Sequence, residues 1–295
     1  MSVIKNCIIC GEEGKVVYKL GDYSVRECKD CELKWVEDTY DESDYVKFDY
    51  YWGYDYFIKN EKYFRKLARK ELDIIVKEFD KLDIKEKKLV DFGCGFGYLI
   101  SEGKKIGFEV TGVEAKSEVV EQIRKREKLN VISSLIKDVN LPHNNYSVAT
   151  FFDVLEHLIE PDLAIKKARD VLAPGGLLVI EVPDDKSLFR KIAYFQYKIT
   201  GGKFQNLLKG AFQSHPGGHR YGFTKKSLTK LLENNGFQII KFKKVMMPYK
   251  FFISEAIRKK KFLSKIIYFL MSTFLFFVSL LFFMQNRIKV YAKKV

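Results

Sequence analysis

The most restrictive stretch of this chain is Leu89-Val90-Asp91-Phe92-Gly93-Cys94-Gly95-Phe96-Gly97-Tyr98. A short apolar run ends in an acid, and three glycines follow at alternate positions. An amphipathic segment, Leu99 to Ile106, comes next. A buried parallel strand that turns sharply into a helix has this pattern. Glycine takes positive φ there and lets a ligand approach the backbone without meeting a Cβ. The spacing is G-x-G-x-G, not the G-x-G-x-x-G of dinucleotide folds, and no Gly-Lys-Ser/Thr follows as phosphate-binding loops require. Alone, such a loop is equally a plain tight turn, so its neighbours carry the reading.

Phe108 to Glu114 reads as a second strand ending in an acid, 23 residues after Asp91. An acid at that place in nucleoside-binding α/β folds accepts hydrogen bonds from ribose hydroxyls. Lys137-Asp138-Val139-Asn140-Leu141-Pro142 puts another acid before a turn, and Val148 to His157 is a nearly continuous apolar run closing on Asp153, Glu156 and His157. Pro161 to Leu172 predicts a helix with proline at its start. It ends at Ala173-Pro174-Gly175-Gly176, and a fifth strand, Leu177 to Val182, follows.

Taken together, DFGCGFG, TGVE, KDVNLP, FFDVLEHL and VLAPGGLLVIEVP resemble the class I S-adenosylmethionine-dependent methyltransferases over residues 88 to 183. The resemblance implies an α/β fold, a Rossmann-like seven-stranded sheet with helices on both faces. It also implies roles for single residues. The loop of Gly93, Cys94, Gly95 and Gly97 would lie against the ribose and methionyl part of S-adenosylmethionine. Glu114 would bind the ribose hydroxyls, and Asp138 with Val139 the adenine edge. Asp153 would lie near the methionyl end, and Asp91 would order the loop or reach the methionine amino group.

Methyl transfer from a sulfonium is an in-line displacement, and holding donor and acceptor in line while excluding water supplies most of the acceleration. A base is needed only where the acceptor must lose a proton. Three of the four histidines are candidates, since imidazole titrates near neutrality. His157 closes the fourth strand, as a base or as a group that orients the loop. His215 and His219 lie in the turn-rich stretch Gln213 to Thr224, which in methyltransferases of this type faces the acceptor. Arg220 beside His219 could bind an acidic substrate group. Glu156 and His157 with His219 could also bind a divalent metal, as in some relatives with a Glu-His pair. Thr224 is expected to N-cap a helix over Lys225 to Asn234.

Ahead of this core, Cys7-x2-Cys10 and Cys28-x2-Cys31 stand 17 residues apart, within the range of a four-thiolate zinc site. Four protein thiolates leave no position for water, so such a zinc is structural. The alternative is two unrelated reduced pairs, or two disulfides. Between the cysteines and the core, residues 40 to 63 are dense in tyrosine. They form either a cover packed on the zinc module or a lid whose rings flank a substrate. Glu61 to Phe79 has helical spacing.

The net charge of +14 hides an asymmetry. From Lys186 to Val295 there are 23 Lys and Arg against Glu233 and Glu255, whereas the preceding part has a balance of −7. Basic halves meet nucleic acid or anionic membrane. After a sixth strand, Phe237 to Val245, come Arg258-Lys259-Lys260-Lys261 and then Ile266 to Met284, 19 residues without a charge. That length qualifies as a membrane span. However, Asn286 to Lys294 reads as the last strand of this fold, antiparallel beside the sixth, and a single span would leave it on the wrong side of the bilayer. The apolar stretch is therefore expected to lie on or dip into a membrane, with the basic run against anionic head groups. A span, or a buried helix or dimer contact, is the alternative.

The expected organisation is a zinc ribbon at 1–38, an aromatic linker and helix at 39–80, and a methyltransferase core at 81–250. A basic, apolar membrane-contact insertion at 251–286 and the last core strand at 287–295 complete it. With no apolar run behind a basic start, no cleaved secretory signal is expected. The chain reads as a cytoplasmic enzyme, peripheral or monotopic on the inner face of the cell membrane. Its acceptor would be a glycan, a lipid-linked or another amphiphilic small molecule. A ribosomal or transfer RNA methyltransferase is the second choice, since a basic half also suits RNA. A non-catalytic S-adenosylmethionine-binding scaffold is a third, and an NAD oxidoreductase is disfavoured by the glycine spacing.

Overall fold

The computed structural model describes residues 3–38, 44–45, 54–82, 84–249, 253, 262–282 and 284–295. Tyr40, Phe48, Tyr50, Tyr51 and Trp52 of the aromatic stretch, and the basic run Arg258 to Lys261, lie outside the described residues. The chain begins with an antiparallel meander of β1 (Lys15–Lys19), β2 (Ser24–Glu27) and β3 (Lys34–Val36). Helices α1 (Tyr54–Lys59) and α2 (Glu61–Phe79) lead into alternating elements. These are β4 (Lys88–Phe92), α3 (Tyr98–Lys105), β5 (Glu109–Glu114), α4 (Ser117–Glu127), β6 (Asn130–Ser133) and β7 (Tyr146–Phe152). Next come α5 (Pro161–Val171), β8 (Leu172–Pro183), α6 (Leu188–Ile199), α7 (Asn206–Ala211) and β9 (Tyr221–Gly222). The chain closes with α8 (Lys225–Asn234), β10 (Phe237–Val245), α9 (Phe262–Leu281) and β11 (Arg287–Lys294).

The large sheet has the order β10-β11-β8-β7-β4-β5-β6. β4 to β8 run parallel, and β11 lies antiparallel between β8 and β10. Strands covered on both faces read as unbroken apolar runs, which is why β4, β7 and β8 were legible. Their side chains divide between two cores: Val90, Ala149, Leu178 and Ile180 on one face, Leu89, Val148, Leu177 and Val179 on the other. The helix starts follow local chemistry. Pro161 opens α5, and the Thr224 side chain accepts from the Ser227 N–H in a reciprocal capping box at α8.

The sixth and last strands are where their patterns place them. β10 pairs with β11 from Phe237↔Lys294 to Val245↔Arg287. Among the described residues no helix is long and apolar enough to cross a membrane. The topology agrees, because the excursion carrying α9 leaves the sheet at the end of β10 and returns to the start of β11. α9 nevertheless presents Leu270, Phe274, Phe277 and Leu281 at 60% exposure or more.

At the other end of the chain, the four cysteines converge. Their sulfurs lie within 4.8 Å of one another, with Cys7 Sγ and Cys31 Sγ 3.6 Å apart. That is far beyond a disulfide bond of about 2.05 Å, and all are free thiols. The small sheet is not finished locally. β3 pairs antiparallel with β9, Lys34↔Gly222 and Trp35↔Tyr221, so a two-residue strand from the loop after β8 completes it. Beneath this seam Lys34, 5% exposed, forms ion pairs with Asp185 at 2.9 Å and Glu27 at 2.8 Å. Asp185→Ala would take from Lys34 one of its two ion-pair partners and from the Tyr194 hydroxyl its acceptor. It is expected to cost about 1.5–3 kcal/mol, the worth of a hydrogen bond to a charged group, read as a lowered urea midpoint. An unchanged midpoint would contradict the seam's role.

Candidate active site

β4 is the first strand of the large sheet, flanked by β5 on one side and β7 on the other. The crossovers to those neighbours run in opposite directions and leave a crevice at the carboxyl ends, where open α/β sheets bind ligands. A cavity of about 600 Å³ lies there.

Its floor is the glycine loop. Gly93 has φ +70° and its N–H donates to the Val113 carbonyl; a Cβ on it would meet Val154 Cγ2 at 2.5 Å. Gly95, φ +51°, faces open space, so any side chain there would stand in the crevice. Glu114, at the end of β5, pins the loop. One carboxylate oxygen accepts from the Gly95 N–H at 3.0 Å and the other from the Lys116 N–H at 3.1 Å. Ionised carboxylates hold about four acceptor positions, so both oxygens retain capacity for ribose hydroxyls. Asp91 lies behind the loop. It pairs in register with Thr150, whose hydroxyl donates to it at 2.6 Å, and burial pushes its carboxyl up to about 7.

Six of the candidate residues line the cavity: Gly93, Gly95, Glu114, Asp153, His157 and His219. Cys94 is buried and would clash with a side chain at Gly112, while Gly97 serves as the N-cap of α3. The wall beyond β6 is formed by Ser134 to Lys137 rather than by Asp138, which is exposed, or Val139, which is buried in the core. His215 is exposed, with Nδ1 2.9 Å from the Pro216 carbonyl.

At the far end the histidines meet. A single 3-10 turn, Leu155–His157, follows β7. The His157 and His219 ring centroids are 4.8 Å apart. His157 Nδ1 is 3.1 Å from the Gly218 carbonyl. A carbonyl only accepts, so Nδ1 carries the proton and Nε2 the lone pair. Burial pulls His157 down to about 4 and His219 well below its usual value, so both rings are neutral at pH 7. Glu156 is fully buried, its carboxyl pushed up to about 8 by burial, and its Oε1 lies 4.0 Å from His219 Nε2. Neither carboxyl oxygen has a hydrogen-bond partner among the described residues. Glu156, His157 and His219 thus form a compact polar group whose ligand atoms lie within 4.8 Å.

Arg220 does not face this end. It is fully buried and donates to the backbone carbonyls of Val36 and Asp38, while its own N–H donates to the Glu156 carbonyl. It therefore joins the cysteine module to both histidine-bearing segments. The cations lining the cavity include buried Lys116 and half-buried Arg287, the latter beside Asp153 and 3.6 Å from Glu181. Neighbouring Lys289 ion-pairs Glu181 at 2.8 Å. Sequence reading missed Arg287. The signal was available: the first residue of an antiparallel last strand must land beside the end of the fifth. Tyr45, Phe57 and Phe64 also line the cavity. Phe57 stacks on Phe96 at 4.8 Å, so this part of the aromatic stretch covers the glycine loop and not the cysteine module.

A glycine-floored crevice at the switch point of such a sheet, with an acid at the end of the second strand, defines a nucleoside-binding α/β enzyme. The model of the methyltransferase domain family matches residues 60–241, and the chain belongs to that family: it is an S-adenosylmethionine-dependent methyltransferase. It is 27% identical over 172 residues to a ubiquinone biosynthesis O-methyltransferase of Coxiella burnetii, covering 54% of this chain and 67% of the relative. A protein of the same name from Shewanella halifaxensis is 31% identical over 129 residues, 42% of this chain and 52% of the relative. In fold it is similar to a SAM-dependent methyltransferase of Archaeoglobus fulgidus, with a TM-score of 0.52 at 19% identity, over 81% of this chain and 99% of that one.

Glu114→Ala should weaken S-adenosylmethionine binding about 10- to 100-fold, the worth of one or two hydrogen bonds to a charged group. Calorimetry reads this directly. An unchanged affinity would remove Glu114 from the cofactor site.

Proposed function

We infer that this enzyme methylates an amphiphilic small molecule, lipid-linked or glycan-bearing, while resting on the inner face of the cell membrane. One observation carries the reading. Met247 and Pro248, where the chain leaves the sheet, and Arg287, where it returns, line the same cavity as His157 and His219. The two feet of the apolar excursion therefore stand at the cavity. A polar head in the cavity would leave its apolar tail beside α9. The ubiquinone-pathway names of the relatives support a quinone-like lipid and an oxygen acceptor among these choices.

S-adenosylmethionine supplies the electrophilic methyl group. Glu114 and the Gly93–Gly97 loop would hold it, and Phe57 and Phe64 would exclude water. His157 Nε2 would take the acceptor's proton as the acceptor–methyl bond forms and the sulfur–methyl bond breaks to leave the neutral thioether, and the Gly218 carbonyl keeps that ring in its Nδ1–H tautomer. His219 packs against it. Because burial holds His157 neutral down to about pH 4, the acid limb of single-turnover methyl transfer should have its midpoint near 4. His157→Ala should abolish that limb. A midpoint near 6.5 would mean a solvated histidine, or another group, acts as base.

The cysteine module fits a structural zinc ion. A tetrahedron with Zn–S of about 2.3 Å has edges of about 3.8 Å, close to the 3.6 Å between Cys7 and Cys31. Cys7, Cys10, Cys28 and Cys31 would hold it, and through β3, β9 and Arg220 it would position the His219 loop. Metal analysis should return one zinc per chain. Cys31→Ser should lose the zinc and most methyl transfer while S-adenosylmethionine affinity changes less than about threefold. Equal loss of both would refute the positioning role.

Cell fractions containing the full chain, or the chain lacking Ile266 to Met284, assayed for labelled methyl in lipid extract and in RNA, test the main reading. Label in lipid with the full chain in the membrane pellet supports it. A soluble chain labelling RNA overturns it in favour of an rRNA or tRNA acceptor.

A further inference from the structure

α9 is not the only apolar element turned outward. α6 follows β8 and α9 precedes β11, and those strands pair at Pro183↔Arg287, so both helices leave one corner of the sheet's carboxyl edge. Backbone bonds stitch that corner: the Asp184 N–H donates to the Asn286 carbonyl at 2.8 Å, and the Leu188 N–H to the Met284 carbonyl at 3.4 Å. The inner face of α6 is satisfied. Arg190 and Ala193 are buried, and Tyr194 stacks on Tyr18 at 5.1 Å. Its outer face carries Phe195 and Ile199, one turn apart and each 64% exposed, with Lys191 and Lys198 exposed beside them. Beyond the helix, Phe204 is 61% and Leu207 45% exposed, among exposed Lys203 and Lys209.

Large apolar side chains grouped in water mark a partner, and the charge selects which. From Lys186 to Leu232 there are ten Lys and Arg and no Asp or Glu. Apolar rings alternating with lysines, on a segment without acids, match the interface of an anionic bilayer, where rings enter the acyl boundary and lysines meet the head groups. The segment also ends at the site, since Gly210 and Gln213 line the same cavity as the feet of the α9 excursion.

We propose that residues 188–209 are a second membrane-contact element, seated on anionic lipid, so that the cavity mouth opens toward the bilayer between this element and α9. An amphiphilic acceptor then enters sideways from the lipid without passing through water. The proposal rests on the amphiphile reading for its acceptor but not for its surface, and the two are separable.

The full chain is sedimented with vesicles of phosphatidylcholine containing phosphatidylglycerol. The Phe195→Ser, Ile199→Ser, Phe204→Ser, Leu207→Ser quadruple variant should bind at least tenfold more weakly. Its S-adenosylmethionine affinity, a check on folding, should stay within about twofold of the parent's. Replacing Lys191, Lys198, Lys203 and Lys209 by Gln, or omitting phosphatidylglycerol, should also weaken binding at least tenfold at low salt. A serine variant that binds like the parent overturns the proposal and leaves α9 as the sole contact. A parent that ignores vesicles but forms a dimer, which the serine variant dissolves, assigns the patch to a second copy and also overturns it. A parent that binds vesicles through this patch yet labels RNA keeps the proposal and removes the amphiphile reading.

Discussion

The return of the chain to fill the gap between β8 and β10 is the constraint on which much of this molecule rests. A sheet of five parallel strands ending at β8 would leave a long apolar edge unpaired. β11 closes that edge, and β10 caps it in turn. The residues that make the closure also furnish the site. Arg287 enters beside Asp153 and Glu181, and Lys289, 1% exposed, forms ion pairs with Glu181 and Glu71. Because both ends of the excursion are fixed to one sheet, the apolar stretch between them is confined to one side of any bilayer it touches. Membrane contact and a complete sheet are thereby made compatible.

A second dependence runs across the molecule. The glycine-loop side of the cavity is built from short-range pieces: a strand, its glycine turn, and an acid one strand over. The histidine side is built from distant ones, and Arg220 joins them. Its guanidinium reaches the carbonyls of Val36 and Asp38, and its N–H reaches that of Glu156. A buried arginine with carbonyl partners is an anchor of fixed geometry, since its fork cannot be deprotonated or easily redirected. The two neutral histidines, half-buried on the cavity wall, and the fully buried, protonated Glu156 lie beside that anchor. As pH falls from about 6.5 to 4, protonation of His157 in the unfolded chain favours unfolding. As it rises from about 4.5 to 8, ionisation of Glu156 does the same. The histidine end of the cavity is thus pH-sensitive, as is buried Asp91 behind the glycine loop.

How much of this was legible depended on sequence distance. β4, β5, β7 and β8 declare themselves by apolar runs, α5 and α8 by Pro161 and Thr224, and β10 and β11 by pattern and place. Gly93, Gly95, Glu114, Asp153 and His157 stand on the cavity wall because each lies at a strand end or in the loop that follows, and His219 reaches it from the loop between α7 and β9. Arg220 misled for a physical reason. An arginine beside a histidine in a loop looks solvent-facing until the two-residue strand that begins just after it is known, and Tyr221–Gly222 has no local pattern to announce it. Ile266 to Met284 was legible as apolar and not as to its surroundings, which depend on where the chain goes before and after.

The pairing of β3 with β9 also bears on how the chain is made. Trp35 and Tyr221 are opposite each other in the finished sheet, yet almost two hundred residues separate them. At ribosomal rates of about 5–20 residues per second, roughly 10–40 s pass between synthesis of one strand and of its partner. Throughout that interval the cysteine module has an open edge at β3, with Lys34 awaiting Asp185. The cysteine module is therefore among the last to be sealed, and a nascent chain must shield that edge from its neighbours until the segment carrying His219 and β9 arrives.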